Sequence, residues 1–281
     1  MQEKDTILYV LTKSQEYLKT KGILNPRLDA EILLSELLSL QRIKLYTNFE
    51  RKLTESEKDQ YRDKIKRRGN NEPVAFIIGK KSFYKSEFKV NSNVLIPRPE
   101  TEELLEWILS ENSLSNRRVL DLGTGSGCIA ISLKLERPDW DISALDISDD
   151  ALQLAIENSN QLLGEGKISF LKSDWFSNIE NNKFSIIVSN PPYIPLNEKD
   201  SLMQDVIQFE PHLALFIEKP EDFYKMFIEK SKVVLESNGK IYLETHHDWA
   251  FKVQEIGSSL GFKSEVRQDL SKKNRMVKLT L

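Results

Sequence analysis

The stretch Val119-Leu-Asp-Leu-Gly-Thr-Gly-Ser-Gly-Cys-Ile-Ala130 decides the predicted fold of most of this chain. An apolar run of strand character leads into a glycine-rich turn, and a helical pattern follows the turn. Further apolar runs then alternate with helical patterns, which is typical of a parallel sheet covered by helices. No helical pattern separates the last two runs, so we expect the sheet to end in an antiparallel hairpin. The predicted strands cover residues 119–122, 142–145, 168–171, 184–189, 240–244, 262–267 and 276–281.

The N-terminal quarter of the chain has a different pattern. Apolar side chains recur there at helical spacing, which predicts a small helical bundle over residues 1–72. Pro26 suits the first turn of the second helix, and Thr54 with Glu57 has the form of a capping box. We expect residues 73–98 to form a connector with a β-hairpin, and residues 99–281 to form the larger domain.

Charge is distributed unevenly along the 281 residues. Residues 1–90 hold 19 Lys and Arg against 13 Asp and Glu, whereas residues 91–281 hold 21 against 30. The basic N-terminal part suits docking on an acidic macromolecule, protein or RNA, although a solvated face explains it equally well. No run approaches the roughly 18 apolar residues of a membrane span, and the first residues lack a targeting pattern. We therefore expect a cytoplasmic protein that does not bind a membrane.

The glycine-rich loop at residues 123–127 lies where open α/β sheets bind their ligands. Asp146 ends the next predicted strand, where a carboxylate can hold two ribose hydroxyls, so the pattern implies a nucleoside-bearing ligand. The following helix N-terminus can stabilise a ligand carboxylate, and Asp121 can accept from a ligand amino group. The alternative is a plain tight turn, with Asp146 as a capping neighbour of Ser148.

Asp174 and Trp175 follow the third predicted strand. Together they offer an adenine ring a flat face beside a polar acceptor, although an isolated tryptophan is more often part of a core. With the loop and Asp146 upstream, we expect Trp175 to line the ligand pocket.

The cysteine and histidine content argues against redox and metal chemistry. Cys128 is the single cysteine and is expected to be a packing residue. The three histidines include no pair at helical chelating spacing. His246 and His247 are adjacent, and adjacent residues on a strand point to opposite faces, so we expect no metal site.

The tetrapeptide Asn190-Pro-Pro-Tyr193 follows an apolar strand and is the most specific pattern in the chain. Two prolines fix φ and leave carbonyls without competing N–H groups. The Asn190 side-chain oxygen and the Pro191 carbonyl can each accept one hydrogen of an NH₂ group, which aims the nitrogen at a methyl donor. Tyr193 can pack on the flat face of that group. The alternative is a rigid turn that closes the strand.

The chain resembles the HemK/PrmC family of N5-glutamine methyltransferases over nearly its whole length. In this sequence the Glu244-Thr-His-His247 stretch departs from the family's usual pattern. The similar segments are Arg27-Leu-Asp-Ala-Glu31, Glu72-Pro-Val74, Gly79, Ile96-Pro-Arg-Pro-Glu-Thr-Glu102, residues 121–127, Ser173-Asp-Trp-Phe176, residues 190–193, and Phe209-Glu-Pro211 with Ala214 and Leu215.

The resemblance implies a class I, Rossmann-like methyltransferase domain that binds S-adenosylmethionine and releases S-adenosylhomocysteine. It also implies a helical N-terminal domain that helps hold a class I peptide chain release factor, and methylation of the glutamine in the factor's Gly-Gly-Gln motif, in support of translation termination. Expected substrate-binding residues are Asn190, Pro191, Pro192 and Tyr193, with Asn190, Pro191 and Tyr193 catalytic. Expected cofactor-binding residues are Asp121, Gly123, Thr124, Gly125, Ser126, Gly127, Asp146, Asp174, Trp175 and Asn190.

Three other functions fit parts of the pattern. A glutamine methyltransferase of a ribosomal protein shares the tetrapeptide chemistry, but the N-terminal Arg-Leu-Asp-Ala-Glu run favours release factors. An amino-methyltransferase of nucleic acid bases also acts on a planar nitrogen, but the acidic larger domain argues against direct nucleic acid binding. A nucleotide-binding scaffold without catalysis would not need the intact tetrapeptide.

Overall fold

The computed structural model describes residues 4–179 and 182–281. The chain divides into two compact units. The first is Met1–Lys80 with Leu202–Phe209, and the second is Lys81–Ser201 with Glu210–Leu281. The short segment 202–209 thus groups with the N-terminal unit, a long-range association that the predicted domain boundaries do not include. Within the described residues no helix is long and apolar enough to cross a membrane.

The N-terminal unit is a small helical bundle around its own apolar core, which includes Leu11, Leu33 and Ile65. Pro26 opens the second helix, as the sequence predicts. The capping box is also present, since the Thr54 hydroxyl accepts from the Glu57 N–H and the Glu57 carboxylate accepts from the Thr54 N–H. The helices are α1 (Ile7–Thr20), α2 (Pro26–Leu37), α3 (Arg42–Thr47), α4 (Glu55–Gly69) and α5 (Val74–Ile78).

A buried arginine joins distant segments of this unit. The Arg68 guanidinium donates to Asp29 at 2.7 Å and to the Glu72 carbonyl at 3.1 Å. It also lies 3.5 Å from a carboxylate oxygen of Asp205. Asp205 belongs to the segment 202–209, so this ion pair explains part of why the segment groups with the bundle.

The second unit contains a seven-stranded sheet with the strand order β10-β11-β9-β6-β3-β4-β5. Strands β5, β4, β3, β6 and β9 run parallel, whereas β11 is antiparallel to β9 and to β10. The predicted fold class, with its terminal antiparallel hairpin, is confirmed. The strands are β3 (Arg118–Leu122), β4 (Asp141–Asp146), β5 (Ser169–Lys172), β6 (Phe184–Ser189), β9 (Leu235–Glu244), β10 (Lys263–Gln268) and β11 (Asn274–Thr280).

Helices and two short strand pairs surround this sheet, and each sheet face packs on an apolar cluster. All six residues of β6 are buried, as in a strand covered on both faces. Four of them are apolar, and the hydroxyls of Ser185 and Ser189 donate to backbone carbonyls of β3. The helices are α6 (Pro99–Glu111), α7 (Cys128–Glu136), α8 (Asp149–Leu163), α10 (His212–Leu215), α11 (Pro220–Val234) and α12 (Ala250–Ser259). The short strands are β1 (Lys80–Phe83) with β2 (Ser86–Lys89), and β7 (Ile194–Pro195) with β8 (Phe216–Ile217); a 3-10 helix covers Leu196–Ser201 and α9 covers Gln204–Phe209.

Arg68→Ala is expected to lower the free energy of unfolding of the N-terminal unit by about 3–5 kcal/mol, because it leaves two carboxylates without their cation. The control Arg62→Ala removes an exposed pair with Asp59 and should cost about 0–1 kcal/mol. Urea unfolding of the full chain, followed by circular dichroism, measures the effect. Tryptophan fluorescence follows the second unit separately, because all four tryptophans lie there. Equal losses in the two variants would contradict the role given to Arg68.

Candidate active site

The glycine-rich loop connects β3 to α7 and is held by the neighbouring strand. The N–H groups of Gly123 and Thr124 both donate to the Leu145 carbonyl at 2.9 Å. The N–H of Gly125 donates to the Asp146 carboxylate, also at 2.9 Å. The end of β4 therefore fixes the loop that follows β3, with the loop backbone at the carboxyl edge of the sheet.

At Gly127 both the backbone conformation and the lack of space exclude a side chain. Its φ is +81°, and a Cβ there would lie 2.8 Å from the Ile131 side chain and 3.2 Å from that of Ala155. Its small size therefore lets α7 pack against α8. Asn158 on α8 reinforces this contact, because its amide donates to the Ser126 carbonyl at 2.9 Å.

Asp121 lies beneath the loop and is fully buried. One carboxylate oxygen accepts from the Thr124 hydroxyl at 2.7 Å and from the Ala130 N–H at 3.2 Å. The other oxygen is buried without a hydrogen-bond partner among the described residues. Burial, with a smaller contribution from the Asp146 charge, raises the pKa of the Asp121 carboxyl to about 7. Asp121 thus holds the loop to the helix, and its contact with a ligand amino group stays a prediction.

Asp146 has the capping role that the sequence suggested as one alternative, and its contact with ribose hydroxyls stays a prediction. One oxygen accepts from the Gly125 N–H, and the other accepts from the Ser148 N–H at 3.0 Å at the start of α8. The carboxylate also lines the cavity beside the loop, where its remaining lone pairs can accept from a ligand.

Trp175 both packs on apolar side chains and faces the cavity. Its ring centroid lies 5.0 Å from that of Phe223 and 5.6 Å from that of Phe227. Its φ is +52°, and the Ser173 hydroxyl donates to its carbonyl at 2.9 Å. Its indole is therefore held in place from behind, as a ring-stacking surface requires.

The cavity at the carboxyl edge of the sheet collects most of the predicted site residues. It does not include Asp121, Gly127, Pro191 or Tyr193 in its wall. The predicted residues in the wall are Gly123, Thr124, Gly125, Ser126, Asp146, Asp174, Trp175, Asn190 and Pro192.

Asn190 is held in one orientation by a chain of hydrogen bonds that the sequence did not reveal. Its amide nitrogen donates to the Thr101 hydroxyl oxygen at 3.0 Å, and that hydroxyl donates to the Glu244 carboxylate at 2.6 Å. A carboxylate accepts only, so it fixes the direction of both bonds. The Asn190 side-chain oxygen is thereby left free. It is buried and has no hydrogen-bond partner within the described part of the chain.

Glu244 connects the two ends of the tetrapeptide. It is fully buried at the end of β9, and its second oxygen accepts from the Tyr193 hydroxyl at 3.1 Å. Burial raises the pKa of Glu244, while the bonds from Thr101 and Tyr193 and the charge of Arg275 oppose that rise. Burial and the Glu244 charge also raise the pKa of Tyr193, which keeps its hydroxyl neutral. The sequence signal that could have identified Glu244 is an acidic residue at the end of an apolar strand.

Glu210 is another buried carboxylate, and it joins two segments whose residues line the cavity. Glu210 accepts from the Arg98 guanidinium at 2.6 Å and from the Ile96 N–H at 3.2 Å. Two motif runs that are distant in sequence meet in this way. Pro97, Arg98 and Pro211 consequently line the cavity.

The argument that excluded a metal site, which placed His246 and His247 on a strand, is wrong. β9 ends at Glu244, and His246 and His247 lie on the following turn rather than on a strand. Their rings are on the same side, with centroids 4.2 Å apart. A turn does not alternate its side chains as a strand does.

Comparison with known proteins agrees with this geometry. Two family models match, the PrmC N-terminal domain over residues 10–79 and the methyltransferase small domain over residues 99–214. The chain is 51% identical to the release factor glutamine methyltransferase of Leptospira interrogans, with both proteins covered over their full length. It is 37% identical to the bifunctional methyltransferase of Rickettsia bellii. That alignment covers 92% of this chain but only 52% of the relative.

Among solved structures, a methyltransferase from Pyrococcus furiosus superimposes with a TM-score of 0.54 at 15% identity. The match covers 71% of this chain and 91% of that chain, and at this identity it concerns the fold. The sheet order and the cavity beside the glycine loop define a class I methyltransferase. The chain belongs to the release factor glutamine methyltransferase family.

The raised pKa of Asp121 predicts a pH dependence of stability. Between pH 4 and 7 this carboxyl is protonated in the folded protein. In the unfolded chain, where its pKa is the ordinary 3.8, it is ionised. The stability that protonation contributes is complete below the unfolded pKa and is lost as the pH rises through 7. Relative to Asp121→Asn, the free energy of unfolding should therefore fall by about 4 kcal/mol over this range, at roughly 1.4 kcal/mol per pH unit.

Urea titrations of both proteins at several pH values measure this difference. The control Asp141→Asn changes an exposed carboxyl at the start of β4 and should give a curve parallel to that of the unchanged protein. A parallel curve for Asp121→Asn as well would contradict a protonated Asp121.

Proposed function

We propose that this chain transfers a methyl group from S-adenosylmethionine to the side-chain amide nitrogen of the glutamine in the Gly-Gly-Gln motif of class I peptide chain release factors. The observation that carries the proposal is the Asn190 side chain. Its nitrogen is occupied by Thr101, and its buried oxygen lacks a partner in the described residues. An oriented acceptor beside a nucleoside-type cavity suits a substrate that presents an NH₂ group.

An amide nitrogen requires such positioning because its lone pair is delocalised, as the rotation barrier of about 18–20 kcal/mol in peptide bonds shows. The Asn190 oxygen accepts one hydrogen of the substrate amide, and the Pro191 carbonyl accepts the other. Holding the nitrogen in line with the methyl group is worth roughly 7–11 kcal/mol. The methylated nitrogen is strongly acidic and loses its proton without a dedicated base.

The residues around the cavity fit S-adenosylmethionine, which supplies an electrophilic methyl group on its sulfonium. Gly123 and Gly125 present bare backbone at the cavity. A Cβ at either position would meet no atom within 4 Å, but the positive φ of both residues disfavours any side chain. Asp146 offers acceptors for ribose hydroxyls, and Trp175 with Asp174 offers a flat face and an acceptor for adenine. Above its pKa of about 7, the ionised Asp121 carboxylate has a free oxygen that suits the ligand's amino group.

Asp146→Ala should weaken binding of S-adenosylmethionine because it removes ribose acceptors, each charge-assisted bond being worth about 1.5–3 kcal/mol. The control Asp149→Ala removes a carboxylate three residues later that is exposed and pairs with Lys172. Calorimetry with S-adenosylhomocysteine on the two folded variants makes the comparison. If both variants bind like the unchanged protein, Asp146 serves only the loop and the helix start.

Asn190→Ala should lower turnover by a large factor, because the substrate amide is then free to rotate. The assay incubates the full-length enzyme with a release factor, and mass spectrometry locates the product. A single added methyl is expected on the glutamine of the Gly-Gly-Gln motif. A release factor with that glutamine replaced should accept none.

Two outcomes would redirect the proposal. A methyl group on a ribosomal protein or a nucleic acid base, with none on the release factor, would assign one of the alternative substrates. Normal turnover by Asn190→Ala would remove the proposed role of its side-chain oxygen. Since class I release factors act in translation, we also place the enzyme in the cytoplasm.

The N-terminal unit is proposed to dock the protein substrate. A groove of about 390 Å³ between α1 and α4 supports this role. Its basic side chains outnumber Asp5, the acidic residue in its wall, and three tyrosines also line it. The basic groove residues are Lys13, Lys58, Arg62 and Lys66, and the tyrosines are Tyr9, Tyr17 and Tyr61, of which Tyr61 is buried.

Arg62→Glu with Lys66→Glu should raise the KM for an intact release factor several-fold, because both changes reverse the groove's charge. The KM for a short Gly-Gly-Gln peptide should stay the same, since such a peptide reaches only the cavity. Lys19→Glu with Lys44→Glu makes the same charge change outside the groove and serves as the control. Equal effects of the two pairs, or an effect on the peptide, would contradict docking in the groove.

A further inference from the structure

The turn between β9 and α12 brings together three side chains that can ligate a metal ion. The Trp249 N–H donates to the His246 carbonyl at 2.9 Å, which closes the turn. One nitrogen from each of His246 and His247 and one oxygen from Asp248 all lie within 4.8 Å of one another. Their approach follows from the backbone, because three consecutive residues of the turn face one point.

The distances suit one ion with a small movement of an exposed side chain. The Asp248 carboxylate lies 3.8 Å from His246 Nδ1 and 3.5 Å from His247 Nε2. Zinc bonds of about 2.0–2.2 Å in a tetrahedral site place two ligand atoms of one ion roughly 3.3–3.6 Å apart. The Asp248 side chain is 73% exposed, so it can adjust without disturbing packing.

His246 is prepared for ligation by its surroundings. Its Nδ1 is a buried atom with no hydrogen-bond partner in the described part of the chain, which is a costly state for a polar atom. Its other nitrogen, Nε2, lies 3.5 Å from the Glu198 carboxylate. A carboxylate at this distance favours the proton on Nε2, which leaves the Nδ1 lone pair available to a metal ion, as outer carboxylates do for metal-bound histidines.

We propose that His246, His247 and Asp248 form a binding site for a divalent transition-metal ion of the zinc type, with Glu198 as the outer carboxylate that orients His246. Two imidazoles select zinc, cobalt or nickel over magnesium and calcium, which prefer oxygen ligands. Three protein ligands leave a fourth position for water.

The proposed site lies next to the methyl-transfer site without belonging to it. The turn begins directly after Glu244, the residue that holds Thr101 and Tyr193. Glu198 lies in the 3-10 helix Leu196–Ser201, a few residues after the tetrapeptide. A bound ion would therefore tie these two segments together through His246 and stabilise the folded chain.

The test uses full-length protein without a histidine tag, treated with a chelator. Titration with Co²⁺, followed by visible absorption, should show one site with the bands of a nitrogen-ligated ion. His247→Ala should abolish this step and Asp248→Asn should weaken it at least tenfold. His247 is partly exposed, and circular dichroism verifies that the variant folds. His212→Ala, a change of the third histidine outside the turn, should bind like the unchanged protein.

Two further measurements separate an ordered site from loose histidine binding. Glu198→Gln should weaken Co²⁺ binding about 10–100-fold, although Glu198 is not itself a ligand. Zn²⁺ should raise the thermal unfolding midpoint of the unchanged protein and not that of His247→Ala. The proposal is overturned if His247→Ala binds Co²⁺ as tightly as the unchanged protein, or if Zn²⁺ leaves both midpoints where they were.

Discussion

The buried Glu244 carboxylate is the constraint on which the site depends. A carboxylate removed from water needs hydrogen-bond donors, and Glu244 receives them from Thr101 on α6 and Tyr193 at the end of the tetrapeptide. Because Glu244 can only accept, the Thr101 hydroxyl must donate to it and can only accept from Asn190. The shape of an amide does not distinguish its nitrogen from its oxygen. For Asn190 the hydrogen bond to Thr101, which Glu244 on β9 directs, decides which is which.

The rest of the site repeats the same arrangement on a smaller scale. Asp121 and Asp146 hold the glycine loop through hydroxyl and backbone donors, and Glu210 holds the opposite wall through Arg98. Asp121 lies near the end of β3, Asp146 ends β4 and Glu210 follows α9, and each accepts hydrogen bonds from residues outside its own element. The segments around the cavity are thus held by acceptors within the protein, and among the described residues one oxygen each of Asp121 and Asn190 stays without a partner.

Sequence reasoning reached the parts of this structure that local patterns encode. The strand-loop-helix at residues 119–136, the terminal hairpin and the helical N-terminal unit follow from periodicity and glycine placement. The role of the tetrapeptide stays a prediction, and two of its residues, Asn190 and Pro192, line the cavity. The contact between Thr101 and Glu244 spans 143 residues, and no local pattern encodes a pairing of that length. The grouping of residues 202–209 with the bundle depends similarly on Arg68 and Asp205. The prediction put His246 and His247 on opposite faces of a strand. The strand ends before them, at Glu244, so their side chains need not alternate.

A double-mutant cycle of Thr101→Val and Asn190→Ala is the most direct test of the central claim, that Thr101 acts by orienting Asn190. Initial rates of methyl transfer to a release factor are measured for the unchanged enzyme, both single variants and the double variant, with the KM for S-adenosylmethionine as the reference. The account predicts that Thr101→Val lowers turnover, and that the double variant is no slower than Asn190→Ala alone. Independent effects that multiply in the double variant would contradict it.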